Sequence, residues 1–186
     1  LFLHDEFHVS FTSLGLLTTL LYGISGLAQT VAGFLVDRFG ARIVLLSGLA
    51  SISVATLGYG LVQSYWMLVP LSIAAGLGNS VFHPADLSIL TARINPQRLG
   101  RGYAIHAFCG NLGWATAPII MITIAEFYDW RTAVITAGII GILILIVAAF
   151  FLLDTNPNTV QSNIATTSSL KKTKGEVCGN FSIFFK

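Results

Sequence analysis

Five stretches of this sequence are apolar for about the 20 residues that a helix needs to cross a bilayer. They run over about 11–36, 43–63, 66–92, 102–126 and 131–153, and none carries Lys or Arg in its central part. Hydrocarbon offers no partner to a backbone N–H or C=O, so a spanning segment must be a helix or a strand of a closed barrel. Barrel strands would be roughly 10 residues long and would alternate in polarity. These runs are longer and do not alternate. The reading is an all-α membrane protein with five transmembrane helices. Composition agrees: the chain is only 10% charged, with a mean hydropathy of +0.79, where a soluble domain carries about 25% charged residues.

The connecting segments divide by charge. Arg38, Arg42, Arg93, Arg98, Arg101, Lys171, Lys172, Lys174 and Lys186 fall on one side of the alternating spans, nine basic residues against Arg131 alone on the other. Asp5, Glu6, Glu126 and Asp129 share the side of Arg131. The excess of basic residues on cytoplasmic loops then puts the 37–42 loop, the 93–101 loop and the C-terminal tail in the cytoplasm. Trp66, Trp130, Tyr65 and Tyr128 sit at the expected outer interface, where amphipathic aromatics collect.

The expected localisation is the inner (cytoplasmic) membrane, multi-pass. Residues 1–153 read as a partial helical bundle and 154–186, rich in Ser, Thr and Asn, as a polar cytoplasmic linker or tail. The first residue is Leu, "LFLHDEFHVSFT" lacks the features of a signal peptide, and five spans leave the N-terminus outside. The expectation is a fragment that lacks a preceding helix. Cys109 reads as a small buried hydrophobe, and a disulfide with Cys178 is not expected. Small residues stud the spans: Gly23, Gly26, Ala28 and Gly33 in the first, Gly76, Gly78 and Ser80 in the third, Gly110 and Gly113 in the fourth. They read as sites of close helix packing.

"GFLVDRFGAR", residues 33–42, concentrates three charges between two apolar spans. Asp37 stands at the C-terminal end of a helix, where the dipole disfavours an anion, so a cationic partner is expected from Arg38 or Arg42. Gly33 allows a close helix contact, and Gly40 permits the tight reversal into the next helix. A plain polar turn with basic anchors is the bland alternative.

This pattern, Gly-x-x-x-Asp-Arg-x-Gly-x-Arg, resembles the signature loop between the second and third helices of the major facilitator superfamily. Gly33, Asp37, Arg38, Gly40 and Arg42 carry the resemblance. It implies that the five spans are helices 2 to 6 of twelve, in a half-bundle that lacks its C-terminal partner half. It implies a secondary transporter of a small solute, working by alternating access, with the loop in a charge network at the cytoplasmic gate and Asp37 helping to latch the outward-open state. "GLGNSVFHPADLSIL" and "GYAIHAFCGNLGWATAPII" are further similar to fosmidomycin-resistance-type permeases. Ser72 stands where many proton-coupled members carry an arginine. Ala117–Pro118 and Met121–Ile122 replace the glycine-rich pattern of drug/proton antiporters, which argues against that branch.

Polar groups inside the bilayer are costly and invite a functional reading. Asn79, Asn111 and Trp114 fall near the midplane, where transporters hold substrate, although packing explains them equally well. His83 and Asp86 lie three apart on one helix face. His106 enters near the same level if the third and fourth spans run antiparallel. A His–Asp pair there suits proton relay. The alternative for Asp86 is a salt bridge with Arg93 or the signature-loop arginines. Pro84 cannot bond the carbonyl of Ser80 and should kink its helix. No metal, cofactor or nucleic-acid partner is expected; the expected partners are a small-molecule solute and the lipid bilayer. No GxSxG, HExxH or phosphate-cradling loop is present, so an enzyme is not expected. Two alternatives remain: a non-transporting membrane scaffold or product of a truncated gene, and an intramembrane enzyme using His83, Asp86 and His106.

Overall fold

The computed structural model describes residues 2–153; the linker expected over 154–186, with Cys178, lies outside the described residues. A short helix α1 (Phe2–Phe7) precedes α2 (Phe11–Phe39), α3 (Ala41–Leu61), α4 (Tyr65–Ser80), α5 (Phe82–Arg93), α6 (Leu99–Phe127) and α7 (Trp130–Leu153), with a single 3-10 turn at Pro96–Arg98. No strand occurs among the described residues. Helices α4 and α5 form one broken span, so among the described residues five spans are long and apolar enough to cross a membrane: Phe11–Phe39, Ala41–Leu61, Tyr65–Arg93, Pro96–Phe127 and Trp130–Leu152. The expected five apolar helical runs are therefore found.

Each boundary has a local cause. Ser10 caps α2 by accepting a hydrogen bond from the Ser13 amide at 3.1 Å, which satisfies one of the free donors of a first helical turn. Asp129 does the same for α7, accepting from the Thr132 amide at 2.5 Å. The break between α4 and α5 falls at Val81, three residues before Pro84, whose missing N–H leaves the Ser80 carbonyl without its helical partner.

Helix α4 is clasped between α2 and α3. Gly76 and Gly78 make this possible, because residues two apart project from opposite sides of a helix. A Cβ on Gly76 would stand 2.6 Å from the Leu21 carbonyl oxygen of α2, and one on Gly78 would stand 2.8 Å from the Gly48 carbonyl oxygen of α3. Two hydrogen bonds stitch α3 to α4: Ser51 Oγ to the Ala74 carbonyl at 2.8 Å, and Tyr59 to Ser72 at 2.9 Å. Helix α7 lies along α3. Gly60, Gly138 and Gly141 meet Ile135, Leu57 and Ser53 across that seam.

Close packing at Gly76 and Gly78 matches expectation, and that at Gly48, Gly60, Gly138 and Gly141 is an addition to it. The expected close contacts at Gly23, Gly26, Gly33, Gly110 and Gly113 are not made: a Cβ at any of these meets nothing within 4 Å. These glycines lie on faces of α2 and α6 that no other described helix covers. Helix α6 has no buried residue and approaches chiefly α5 and the 3-10 turn. For the same reason Cys109, expected to be buried, is exposed.

Candidate functional site: the signature loop and the polar mid-span residues

Two groups of expected residues occupy different levels of the bundle. At the Gly40 end, α2 and α3 are joined by Gly40 alone, which serves as the C-cap of one and the N-cap of the other. Its φ of 87° and ψ of 141° are open only to glycine at low cost. Its amide donates to the Val36 carbonyl at 2.9 Å, and its own carbonyl accepts from the Val44 amide at 3.3 Å. Beneath this corner a core of Ala32, Val36, Val44, Val81 and Ala85 ties α2, α3 and α5 together. The loop is thus set on rigid packing.

The charges do not pair as expected. Neither Arg38 nor Arg42 forms an ion pair with Asp37. Arg38 lies over the ring of Phe39, 5.5 Å from its centroid. Arg42 Nη1 donates to the Leu152 carbonyl at 3.2 Å, where a cation suits the C-terminal end of α7. Asp37 is exposed, and the ion pairs formed among the described residues leave it out. The geometric reason is Gly40: its extended, positive-φ corner turns Arg42 toward α7 and away from the end of α2.

Near the α4–α5 break, Asn79 Nδ2 donates to Ser25 Oγ of α2 at 2.8 Å. This bond satisfies a buried serine and pins the break to α2. Two residues past Pro84, Asp86 forms an ion pair with His106 of α6, Oδ2 to Nε2 3.6 Å. The expected meeting of these two side chains at one level therefore occurs, and the ion-pair partner of Asp86 is His106 in place of Arg93 or the loop arginines. His83, exposed, stands close enough to act on the same carboxylate electrostatically. Asn111 is exposed on α6. Trp114 stacks on Tyr22 of α2, with ring centroids 6.3 Å apart and planes at 28°. The structure thus joins Asp86 with His106, Asn79 with Ser25 and Trp114 with Tyr22. No metal-binding group of His, Cys, Asp and Glu occurs among the described residues.

A third cluster was not expected. At the Trp130 end, Arg131 Nη2 pairs with Glu6 at 2.5 Å, and Nη1 donates to the Gly60 carbonyl at 3.0 Å. Glu6 also accepts from the Trp130 indole. The Arg131 hydrogen bond, more than any other neighbour, holds the Glu6 carboxyl below its usual range. The signal was present in the sequence: Arg131 is the lone basic residue among four carboxylates on its side.

Five apolar helical spans, a one-residue glycine corner with flanking charges and a broken third span define a polytopic α-helical membrane protein. The sequence profile of the Major Facilitator Superfamily matches residues 1–185, and the chain belongs to that family. It is similar to the membrane sensor protein UhpC of Salmonella typhimurium, 29% identical over 143 residues, which cover 77% of this chain and 32% of that protein. It is also similar to the probable L-galactonate transporter of Escherichia coli, 27% identical over 144 residues, covering 77% of this chain and 32% of that one. A multidrug resistance protein B homolog of Mycobacterium tuberculosis is 26% identical over 118 residues, 63% of this chain and 22% of the relative. The chain spans about a third of the length of the first two relatives.

Proposed function

We propose that this chain is part of the N-terminal half of a secondary transporter, which moves a small solute by alternating access driven by an ion gradient. The observation that carries the reading is the state of Asp37. A carboxylate stands exposed at the C-terminal end of α2, where the helix dipole opposes it, on a corner built rigidly by Gly40. A charge kept at an unfavourable place suits a partner outside these spans, in the other half of the transporter. Asp37, Arg38 and Arg42 then belong to the gate, with Gly33 and Gly40 shaping the loop. On this reading the loop, the 93–101 segment and the tail face the cytoplasm, in accord with the basic excess there. The open faces of α2 and α6 are covered by helices of the longer protein. Asn79, Asn111 and Trp114, at mid-span depth, contribute to the solute path.

Asp37→Asn in the full-length protein is the test. Uptake into proteoliposomes should slow several-fold while solute affinity is unchanged. Thermal stability in detergent should rise slightly, by about 0.3–1 kcal/mol, because an anion is removed from a helix C-terminus. L-galactonate is the first solute to assay, since one relative is named for its transport. Loss of solute binding by a folded Asp37→Asn protein would remove Asp37 from the gate.

The Asp86–His106 pair, with His83 beside it, supports proton coupling. Uptake by the wild type should therefore change with pH. Asp86→Asn should flatten that profile. An unchanged profile would make the pair a structural tie between α5 and α6.

A second reading, a solute sensor that binds without net transport, is favoured by the name of the UhpC relatives. Saturable solute binding with no uptake and no counterflow would select it.

A further inference from the structure

Helix α6 has one face that neither the gate nor the solute path uses. Two contacts fix how the helix is rotated. His106 pairs with Asp86 of α5, and Trp114 stacks on Tyr22 of α2. At 3.6 residues per turn, Gly110, Gly113 and Ala117 share the side of those two residues. Of the open faces of α6 this is the one whose small residues suit a covering helix. The opposite side reads Arg101, Ile105, Phe108 and Leu112, at helical spacing along a single stripe. Its apolar members are bulky and turned outward: Ile105 is 64% exposed, Phe108 67% and Leu112 52%. Bulky apolar side chains hold neighbouring backbones apart, so they suit contact with acyl chains and not a close helix seam.

The head of this stripe is basic. Arg98 and Arg101 are both exposed and lie three residues apart, where the 3-10 turn at Pro96–Arg98 passes into α6. That spacing makes them neighbours on the helix surface. The turn is firmly set. Asn95 accepts from the Gln97 amide with its side chain, at 3.0 Å, and from the Arg98 amide with its carbonyl, at 2.8 Å. Ile94 lies against Gly102, where a Cβ would collide with it, and this seats the end of α5 on the first turn of α6. No carboxylate occurs in the sequence between Asp86 and Glu126. Among the described residues the acids at this end of the bundle are Asp86, which pairs with His106, and Asp37 on the α2–α3 corner. The ion pairs formed among the described residues include neither Arg98 nor Arg101.

We infer that Arg98, Arg101 and the stripe of Ile105, Phe108 and Leu112 form a binding site for one anionic phospholipid, in the leaflet at the Gly40 end of the bundle. The inference needs only a bilayer around α6 and does not depend on the transport reading. Its dimensions fit. At 1.5 Å per residue, Leu112 lies about 16 Å along the helix from Arg101, which is about the depth of one leaflet in a hydrocarbon core of about 30 Å. The phosphate meets the two guanidinium groups at the head, and an acyl chain runs down the stripe. A planar guanidinium bonds phosphate oxygens two at a time, as an ammonium does not. Net charge makes the selection. A zwitterionic headgroup would bring an ammonium group as well, and this face offers it no carboxylate.

The test uses the full-length protein in liposomes of phosphatidylglycerol and phosphatidylcholine in equal parts. A photoreactive benzophenone amino acid replaces Phe108 or, in a second protein, Ile119. Ile119 is exposed on the same side of α6 but about 27 Å from Arg101, in the other leaflet. The lipid adducts at each position are counted by mass spectrometry. At Phe108 phosphatidylglycerol should be captured in about fivefold excess or more, the gain expected of a single arginine near an anionic headgroup. At Ile119 there should be no such excess. Arg98→Gln with Arg101→Gln should lower the Phe108 ratio to that of Ile119. In the protein with both arginines, about 1 M salt should lower it too, because charges exposed to solvent are screened. Equal capture of the two lipids at Phe108 in low salt would overturn the inference. So would an excess that survives both the double change and high salt, because the arginines would then not be what selects the lipid. Crosslinking of Phe108 to protein in place of lipid would overturn it as well, because that face would then be covered by a helix.

Discussion

Gly78→Val is expected to unseat α4 from α3 and to cost about 3 kcal/mol or more of stability. The position leaves no room to adapt. A Cβ would sit 2.8 Å from the Gly48 carbonyl oxygen, 2.9 Å from Ser51 Cβ and 3.0 Å from Ile52 Cγ1, and two of those three atoms are backbone or the root of a side chain. Overpacking of a close seam costs about 1–3 kcal/mol. Separating the helices also stretches the Ser51–Ala74 and Tyr59–Ser72 hydrogen bonds, each worth about 0.6 kcal/mol between helices in a membrane. Alanine at the same position places only the Cβ and should cost less, though still more than alanine at Gly113, where a Cβ meets nothing within 4 Å. There the better helix propensity of alanine should leave stability unchanged or improved by up to about 1 kcal/mol. Unfolding in mixed detergent micelles measures all three. Equal stability of Gly78→Val and wild type would mean that the α3–α4 seam is looser than the glycine pair implies.

Gly40→Val should be nearly as damaging, for a backbone reason. With φ of 87° and ψ of 141°, the residue lies outside the left-handed helical region that asparagine tolerates and near one reserved for glycine. Strain there is worth about 1–3 kcal/mol, and valine adds a branched Cβ. Because α2 ends and α3 begins on this one residue, there is no neighbouring loop to absorb the change. Asp37 and Arg38 would shift relative to Arg42 and its Leu152 contact. On the proposed gate reading, the transport defect should exceed that of Asp37→Asn, and Gly40→Asn should fail to rescue it. Recovery of uptake and of the melting temperature by Gly40→Asn would show that an ordinary left-handed turn suffices.

The way these residues became legible differs from case to case. Gly40 could be read directly, because a glycine between charged residues at the junction of two apolar spans has few other uses. The meeting of Asp86 with His106 followed from span direction and depth, which hydropathy and charge patterning supply. The pairing of Asp37 did not follow. Sequence proximity to two arginines suggested a local bridge, whereas the angle of the Gly40 corner sends Arg42 to α7. Glu6 and Arg131 were missed because they are 125 residues apart, and nothing local to either shows that α1 folds back onto the head of α7.

Glycines show the same division. The residues that pack closely are chosen by which faces meet, and a stripe of small residues looks alike on a covered and an uncovered helix. Gly76 and Gly78 were recognised as packing residues, and so, wrongly for these spans, were Gly110 and Gly113. By itself the sequence determined the helical spans, their number and order and the membrane as their solvent. Those follow from the cost of leaving backbone groups unpaired in hydrocarbon, a cost paid within each segment. Only the tertiary structure decided which faces touch, which charge found which partner and that Arg131 ties three elements together. In lipid the apolar surface is equally content on every side, so those choices rest on close backbone fit and a few directed hydrogen bonds, set by side chains distant in the chain.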